Sequence, residues 1–245
     1  MAIHTRVTGA IQRDLLELFQ LKIPLMQIVI ANVLSAAELK QVRETLKHAR
    51  FVDGRATAGF AARLVKNNEQ VDASDRTIER IRKLVTERIS NNELFKLAVR
   101  PKTLSPLMFA RYERGKNYGS HVDDPLMNGM RTDVSFTLFL SDPKTYKGGE
   151  LVIESTAGED AVKPPAGAMV VYPTTALHRV AKVTRGQRLV CVGWARSMIR
   201  DPAQRELLFD LDTARRRMFS RDGKTADYDL VSKSLANLMR MWVED

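Results

Sequence analysis

The chain is predicted to be an α+β protein: a β-sandwich or jelly-roll core, with N-terminal helices packed on it and a C-terminal helical segment. Three observations predict it. Apolar residues recur with helical spacing up to about residue 100. From there to about residue 198 that period gives way to short β-rich runs punctuated by Gly, Pro and Asp. After Ser197 the helical period returns. Short strands repeated at this spacing are the pattern of a sandwich or jelly roll.

Residues 1–25 read as a separate N-terminal extension. Ile11, Leu15, Leu18, Phe19 and Lys22 have helical spacing, and Pro24 ends the pattern. Residues 26–100 form an α-rich N-terminal part that opens with a short strand at Met26–Ile30. Ser35, with Glu38 three residues on, spells a capping box for a helix reaching about Ala49 through Leu39, Val42 and Leu46. Residues 51–72 read as a loop with short strands. Ser74 or Asp75 caps a second helix with Ile78, Ile81, Leu84, Val85 and Ile89 on its inner face, and Leu94–Ala98 adds a turn. The core, 101–198, holds runs at 107–112, 132–140, 150–154, 168–172, 177–183 and 187–196. The tail, 199–245, has one helix through Leu207, Leu208, Leu211, Ala214 and Met218. A second carries Leu230, Val231, Leu235, Leu238, Met239 and Trp242, a stripe that suits packing on the core or on another subunit.

The composition is that of an ordinary globular domain: 245 residues, 44% hydrophobic and 28% charged. No run approaches the ~20 apolar residues of a membrane helix. Asp14 and Glu17 interrupt the one apolar stretch near the N-terminus, so no secretory pattern is present. The single cysteine, Cys191, cannot form an internal disulfide, and the expected location is cytoplasmic. The net charge of +10 is concentrated in residues 38–116, but as dispersed cations without interleaved aromatics. Such a distribution reads as a solvated surface rather than a nucleic-acid track.

The chemistry is concentrated at His121–Val122–Asp123. On a strand, residues two apart share a face, so an imidazole and a carboxylate at this spacing can bind one metal. With only four histidines in the chain, His-x-Asp alone is a weak signal. His178 would complete a facial set of two His and one carboxylate, which leaves open positions and suits Fe(II). Arg188 lies ten residues beyond His178 and is followed by the apolar Leu189–Val192. An arginine pointing inward there needs a buried anion, and its planar fork fits the carboxylate of 2-oxoglutarate remote from the iron.

At these residues the sequence resembles the bacterial PKHD-type hydroxylases, relatives of the prolyl 4-hydroxylases among the iron/2-oxoglutarate dioxygenases. The matching runs lie at 111–123 (around Tyr118-Gly-Ser-His-Val-Asp123), 131–140, 146–153 and 172–188, with further likeness at 52–59 and 207–212. It covers about residues 26–245 and implies a double-stranded β-helix (jelly-roll) core. It implies His121, Asp123 and His178 as ligands of one Fe(II) per chain, Arg188 as the grip on the 2-oxoglutarate C5 carboxylate, and Tyr112 as a wall of the cosubstrate pocket. It further implies O2 as cosubstrate, succinate and CO2 as products, and L-ascorbate as reductant. The substrate implied is a peptidyl or amino-acid side chain, or a small molecule linked to iron uptake and iron homeostasis. A homo-oligomer is left open.

Where some relatives place a second cosubstrate-contacting tyrosine on the strand at 132–140, this chain has Thr137, Leu138 and Phe139. Nucleic-acid demethylases of the superfamily usually carry a second arginine six residues after the first; here that position is Trp194, expected to pack behind the metal site. A cupin-like metalloenzyme is opposed by Arg188. A non-catalytic iron or 2-oxoglutarate sensor on the same scaffold is the alternative function. His178 and Arg188 are expected on adjacent antiparallel strands, joined by a three-residue turn at Thr184–Gly186 that sets both on one face.

Overall fold

Local sequence accounts for the first helices. Ser35 Oγ accepts from Glu38 N and the Glu38 carboxylate accepts from Ser35 N (2.9 Å), the capping box in full. These bonds from Ser35, with Arg88 beside them, hold the Glu38 carboxyl down at about 2. The helix it opens, α1 (Ala36–Lys47), follows strand β1 (Ile28–Ile30). The computed structural model describes residues 27–244, so the helix expected over residues 11–22 lies outside the described residues. Between 51 and 72 the chain forms β2 (Phe51–Asp53), a single-turn α2 (Ala62–Val65), β3 (Lys66–Asn67) and β4 (Glu69–Val71). Asp75 caps a 3-10 turn leading into α3 (Glu79–Asn91), and α4 (Glu93–Val99) follows.

The remaining strands are β5 (Pro101–Leu104), β6 (Met108–Tyr112), β7 (Asn117–His121), β8 (Leu126–Met127), β9 (Met130–Arg131), β10 (Val134–Phe139), β11 (Leu151–Ser155), β12 (Gly158–Val162), β13 (Met169–Pro173), β14 (His178–Val180) and β15 (Arg188–Ser197). They form a jelly roll. The larger sheet runs β1-β13-β10-β15-β6-β4-β2, with β5 pairing the far end of β15. The smaller runs β12-β11-β14-β7-β3, and β8-β9 is a separate ribbon. Every pairing is antiparallel. The part expected to be α-rich thus contributes β1, β2 and β4 to the larger sheet and β3 to the smaller one.

The two faces of the larger sheet do different work. Phe109, Phe136, Leu138, Met169, Val171 and Cys191 point outward and pack under the helices, against Val42, Ile81, Val85, Ile89 and Phe95. Each such burial contributes about 1.5–3 kcal/mol. The alternate residues, Ala110, Tyr112, Phe139, Val170, Tyr172 and Val190, point inward at the smaller sheet, which returns Leu151, Ile153 and Val180. Burial on both faces explains why β10 reads as an unbroken buried run.

After β15 come α5 (Pro202–Asp222), capped by Asp201, and α6 (Ala226–Trp242), capped by Thr225. The apolar stripe of α6 packs on α5 and Ile199 of the same chain, forming its own small cluster rather than joining the β core.

The expected hairpin between His178 and Arg188 is corrected. β14 belongs to the smaller sheet, between β11 and β7; β15 belongs to the larger, between β10 and β6. In this roll β6, β7, β10, β11, β13, β14 and β15 alternate sheets, except that β12 stays beside β11. The link 181–187 therefore crosses from one sheet to the other. Gly186 does adopt φ +73, and a Cβ there would lie 2.2 Å from Thr145 O. Its conformation serves a close crossing over the 142–146 segment, not a hairpin bulge.

Candidate active site

The triad residues come from the facing ends of two neighbouring strands. His121 is the last residue of β7 and pairs directly with His178, the first of β14. Asp123 lies just past β7, in a loop, so His121 and Asp123 do not share a strand face as expected; the turn of the chain brings them together instead. Asp123 Oδ1 is 3.8 Å from His121 Nε2, and Oδ2 is 3.7 Å from His178 Nε2. One ligand atom from each of the three falls within 4.8 Å of the others, and no other such group occurs among the described residues.

Each element of this set is held from behind. His121 Nδ1 contacts Gly119 O at 2.8 Å, and His178 Nδ1 contacts Ala176 O at 3.0 Å. A carbonyl can only accept, so both Nδ1 atoms carry a proton, and both Nε2 atoms are turned to the Asp123 carboxylate. His121 stacks on Tyr118 (3.6 Å, 17°), and Tyr172 meets His178 edge-on at 5.0 Å. Burial, then the neighbouring His178, pushes His121 down to about 4, which keeps its imidazole neutral at pH 7. Asp123 Oδ2 accepts from Trp194 Nε1 (2.8 Å) and from Ser135 Oγ (2.7 Å). Trp194, expected merely to pack behind the site, therefore fixes the carboxylate by a hydrogen bond. Trp194→Phe should weaken divalent-metal affinity about tenfold, at the low end for loss of a supporting partner, read by metal titration. An unchanged affinity would leave the indole a packing role alone.

Arg188 opens β15 and pairs with Tyr112 of β6. It is 1% exposed, and its guanidinium lies 5.0 Å from the Tyr112 ring centroid and 5.1 Å from that of Phe139. No ion pair among the described residues includes it, and Nε has no hydrogen-bond partner. Burial lowers its affinity for the proton, with the phenols of Tyr112, Tyr146 and Tyr172 acting the other way. Gly149, at φ +70, keeps the neighbouring wall clear: a Cβ there would sit 3.0 Å from Arg188 Cδ. Burial likewise raises the Tyr112 phenol, so it stays neutral and can donate a hydrogen bond.

All five residues expected at the site, His121, Asp123, His178, Arg188 and Tyr112, line one cleft. Thr137 reaches this cleft from β10, where some relatives place the tyrosine, and its hydroxyl bonds the buried Tyr172 phenol. Sequence reasoning missed Tyr172 and Tyr118, and also Lys66, Asn68 and Gln70, which form a further wall. The likeness at 52–59 and the close spacing of Tyr118 to His121 were the available signals.

The donor set fits Fe(II): two imidazoles and one carboxylate, with no fourth His, Cys, Asp or Glu in the group among the described residues. The buried, acid-free Arg188 fits the remote carboxylate of 2-oxoglutarate. The class follows. Residues 107–196, from the start of β6 almost to the end of β15, match the family model of the 2OG-Fe(II) oxygenase superfamily. The fold is similar to that of a prolyl hydroxylase from Trichoplax adhaerens, solved with a hypoxia inducible factor peptide fragment (TM-score 0.51, 14% identity, 83% of this chain and 97% of that one). It is similar too to HygX from Streptomyces hygroscopicus, solved with nickel and 2-oxoglutarate (TM-score 0.51, 16% identity, 76% and 88%).

Sequence relatives narrow the class. A PKHD-type hydroxylase of Picosynechococcus sp. is 51% identical over 88% of this chain and 98% of its own length. One of Rippkaea orientalis is 50% identical over 89% and 99%. The chain belongs to the PKHD-type hydroxylase family and is an Fe(II)- and 2-oxoglutarate-dependent oxygenase. No described helix is long and apolar enough to cross a membrane.

Proposed function

We propose that this enzyme hydroxylates a C–H bond of an amino-acid or peptidyl side chain, or of a small molecule, with 2-oxoglutarate consumed to succinate and CO2. The observation that carries the reading is Arg188: a fully buried guanidinium without an acidic partner, in the same cleft as two histidines and a carboxylate. His121, Asp123 and His178 would hold the iron, and Arg188 with Tyr112 would take the far carboxylate of 2-oxoglutarate. When bound, iron and 2-oxoglutarate together supply activation of O2 for C–H oxidation. The chain itself orients. Gly119 O and Ala176 O fix the imidazole tautomers, Ser135 and Trp194 fix the carboxylate, and Tyr172 and Phe139 exclude water beside Arg188. Ascorbate is the proposed accessory reductant.

The test is anaerobic loading with Fe(II) and 2-oxoglutarate, followed by O2, against peptide and metabolite libraries, with succinate and a product 16 mass units heavier (one oxygen, a general property of hydroxylation) as readouts. Succinate above the no-substrate background, coupled to such a product, is expected. Binding of both cofactors without succinate from any candidate would favour the sensor.

A further inference from the structure

The cleft holds a second buried cation that the oxygenase chemistry does not use. Lys66, on β3, is 6% exposed and lines the same cleft as the triad. Its Nζ donates to Thr57 Oγ1 at 3.0 Å and lies 5.2 Å from the Tyr118 ring centroid. No carboxylate among the described residues pairs with it. The single Thr57 hydroxyl proton has two acceptors in reach, Gln70 Oε1 (2.6 Å) and Gly54 O (3.1 Å); given to the nearer one, it leaves the Gln70 amide nitrogen free to donate. This wall therefore presents donors: two remaining ammonium N–H groups and an amide N–H.

A buried ammonium without a counter-ion is costly, and one hydrogen bond to a threonine does not require a charge. Burial pulls Lys66 down to about 8, with Asp123 and Asp53 resisting, so the ammonium form still dominates at pH 7. The divalent iron, the dianionic cosubstrate, Asp123 and Arg188 balance one another; Asp124 also lines the cleft, but among the described residues no ion pair joins it to Lys66, on which Asp123 and Asp53 are the acids that act.

We propose that Lys66 is the anchor for the substrate: the molecule hydroxylated here carries a carboxylate, received by the Lys66 ammonium and the Gln70 amide. One cation beside one amide donor matches a singly charged, two-oxygen group better than a phosphate dianion. This rests on the oxygenase reading above, and it makes Lys66 a specificity-determining residue of that site.

The test is NMR of protein labelled with nitrogen-15, loaded with diamagnetic Zn(II) and 2-oxoglutarate. Three probes are titrated: N-acetylalanine (a chain-end carboxylate), N-acetylaspartic acid α-amide (a side-chain carboxylate) and N-acetylalanine methylamide (neutral). At least one acid should shift the Lys66 Nζ, Thr57 and Gln70 signals saturably. The neutral amide should bind about tenfold or more weakly, as loss of a charge-assisted contact implies. Lys66→Met should lose the acid–amide difference and Lys66→Arg should keep it. The proposal is overturned if neither acid moves these signals, if the neutral amide matches the acids, or if Lys66→Met binds the acids with unchanged affinity. Should Lys66→Met fail to fold, the acid–amide contrast and Lys66→Arg decide. Loading is followed separately at the Arg188 signals, and the titration is repeated without Zn(II) and 2-oxoglutarate. A failed oxygenase site therefore shows itself independently of Lys66.

Discussion

Asp123→Ala is expected to lower Fe(II) affinity by more than about 100-fold, beyond the loss typical of removing a supporting partner alone. Three effects act together. The variant removes the one carboxylate of the donor set and hence the charge neutralisation of a divalent ion. It removes the acceptor of Trp194 Nε1 and Ser135 Oγ, leaving two donors turned into a cleft without their partner. It also loosens the 122–124 segment, which those bonds hold at Asp123 while Thr132 Oγ1 holds it at Asp124 O. His178→Ala should lose comparable affinity by a different route, since it deletes a ligand whose Nδ1 is fixed on Ala176 O without disturbing the carboxylate. Anaerobic metal titration with an equilibrium chelator measures both. Iron binding by both variants at wild-type affinity would remove the triad from the metal centre. Asp123→Asn is the informative intermediate: it keeps the shape and one acceptor but not the charge.

The sequence made some of this legible and hid the rest for identifiable reasons. His121, Asp123, His178 and Arg188 could be named because each sits within a few residues of an apolar run or a second chemical group. The capping box at Ser35 and the inner faces of the helices are local patterns too. β7, by contrast, is Asn-Tyr-Gly-Ser-His, with no apolar alternation, so it was absent from the β-rich runs, and the strand supposed at His121–Asp123 ends at His121. β12 is a largely exposed polar edge strand and was missed for the same reason. The hairpin error has another cause. Turn chemistry at Thr184–Gly186 permits a hairpin, and only the pairing of β14 with β7 and β11, fixed by residues tens of positions away, rules it out. Lys66, Asn68 and Gln70 fall in the 51–72 stretch read as a loop with short strands, and their place at the cleft depends on β3 joining β7 and β4 joining β6.

Arg188→Met should separate cosubstrate binding from stability. In the protein without ligand, Arg188 is a fully buried cation whose Nε has no partner and whose guanidinium is eased by the Tyr112 and Phe139 rings and by the neutral phenols of Tyr112, Tyr146 and Tyr172, with no acid to pair it. Replacing such a charge by an apolar side chain of similar length is often neutral or stabilising, by up to several kcal/mol. The melting temperature of the ligand-free variant should therefore equal or exceed that of the wild type. The same change removes a charge-assisted, two-pronged contact worth roughly 1.5–3 kcal/mol, so the apparent 2-oxoglutarate KM should rise about 10- to 100-fold. The stabilisation that saturating 2-oxoglutarate gives the wild type should shrink accordingly. Iron affinity should change little, because Arg188 touches none of the three metal-facing groups. Arg188→Lys should fall between, keeping the charge but losing the planar fork. Thermal melts with and without 2-oxoglutarate, beside steady-state kinetics, read all of these. A variant that melts well below the wild type yet keeps its 2-oxoglutarate KM would make Arg188 a structural residue, and the cosubstrate carboxylate would then have to be sought elsewhere in the cleft.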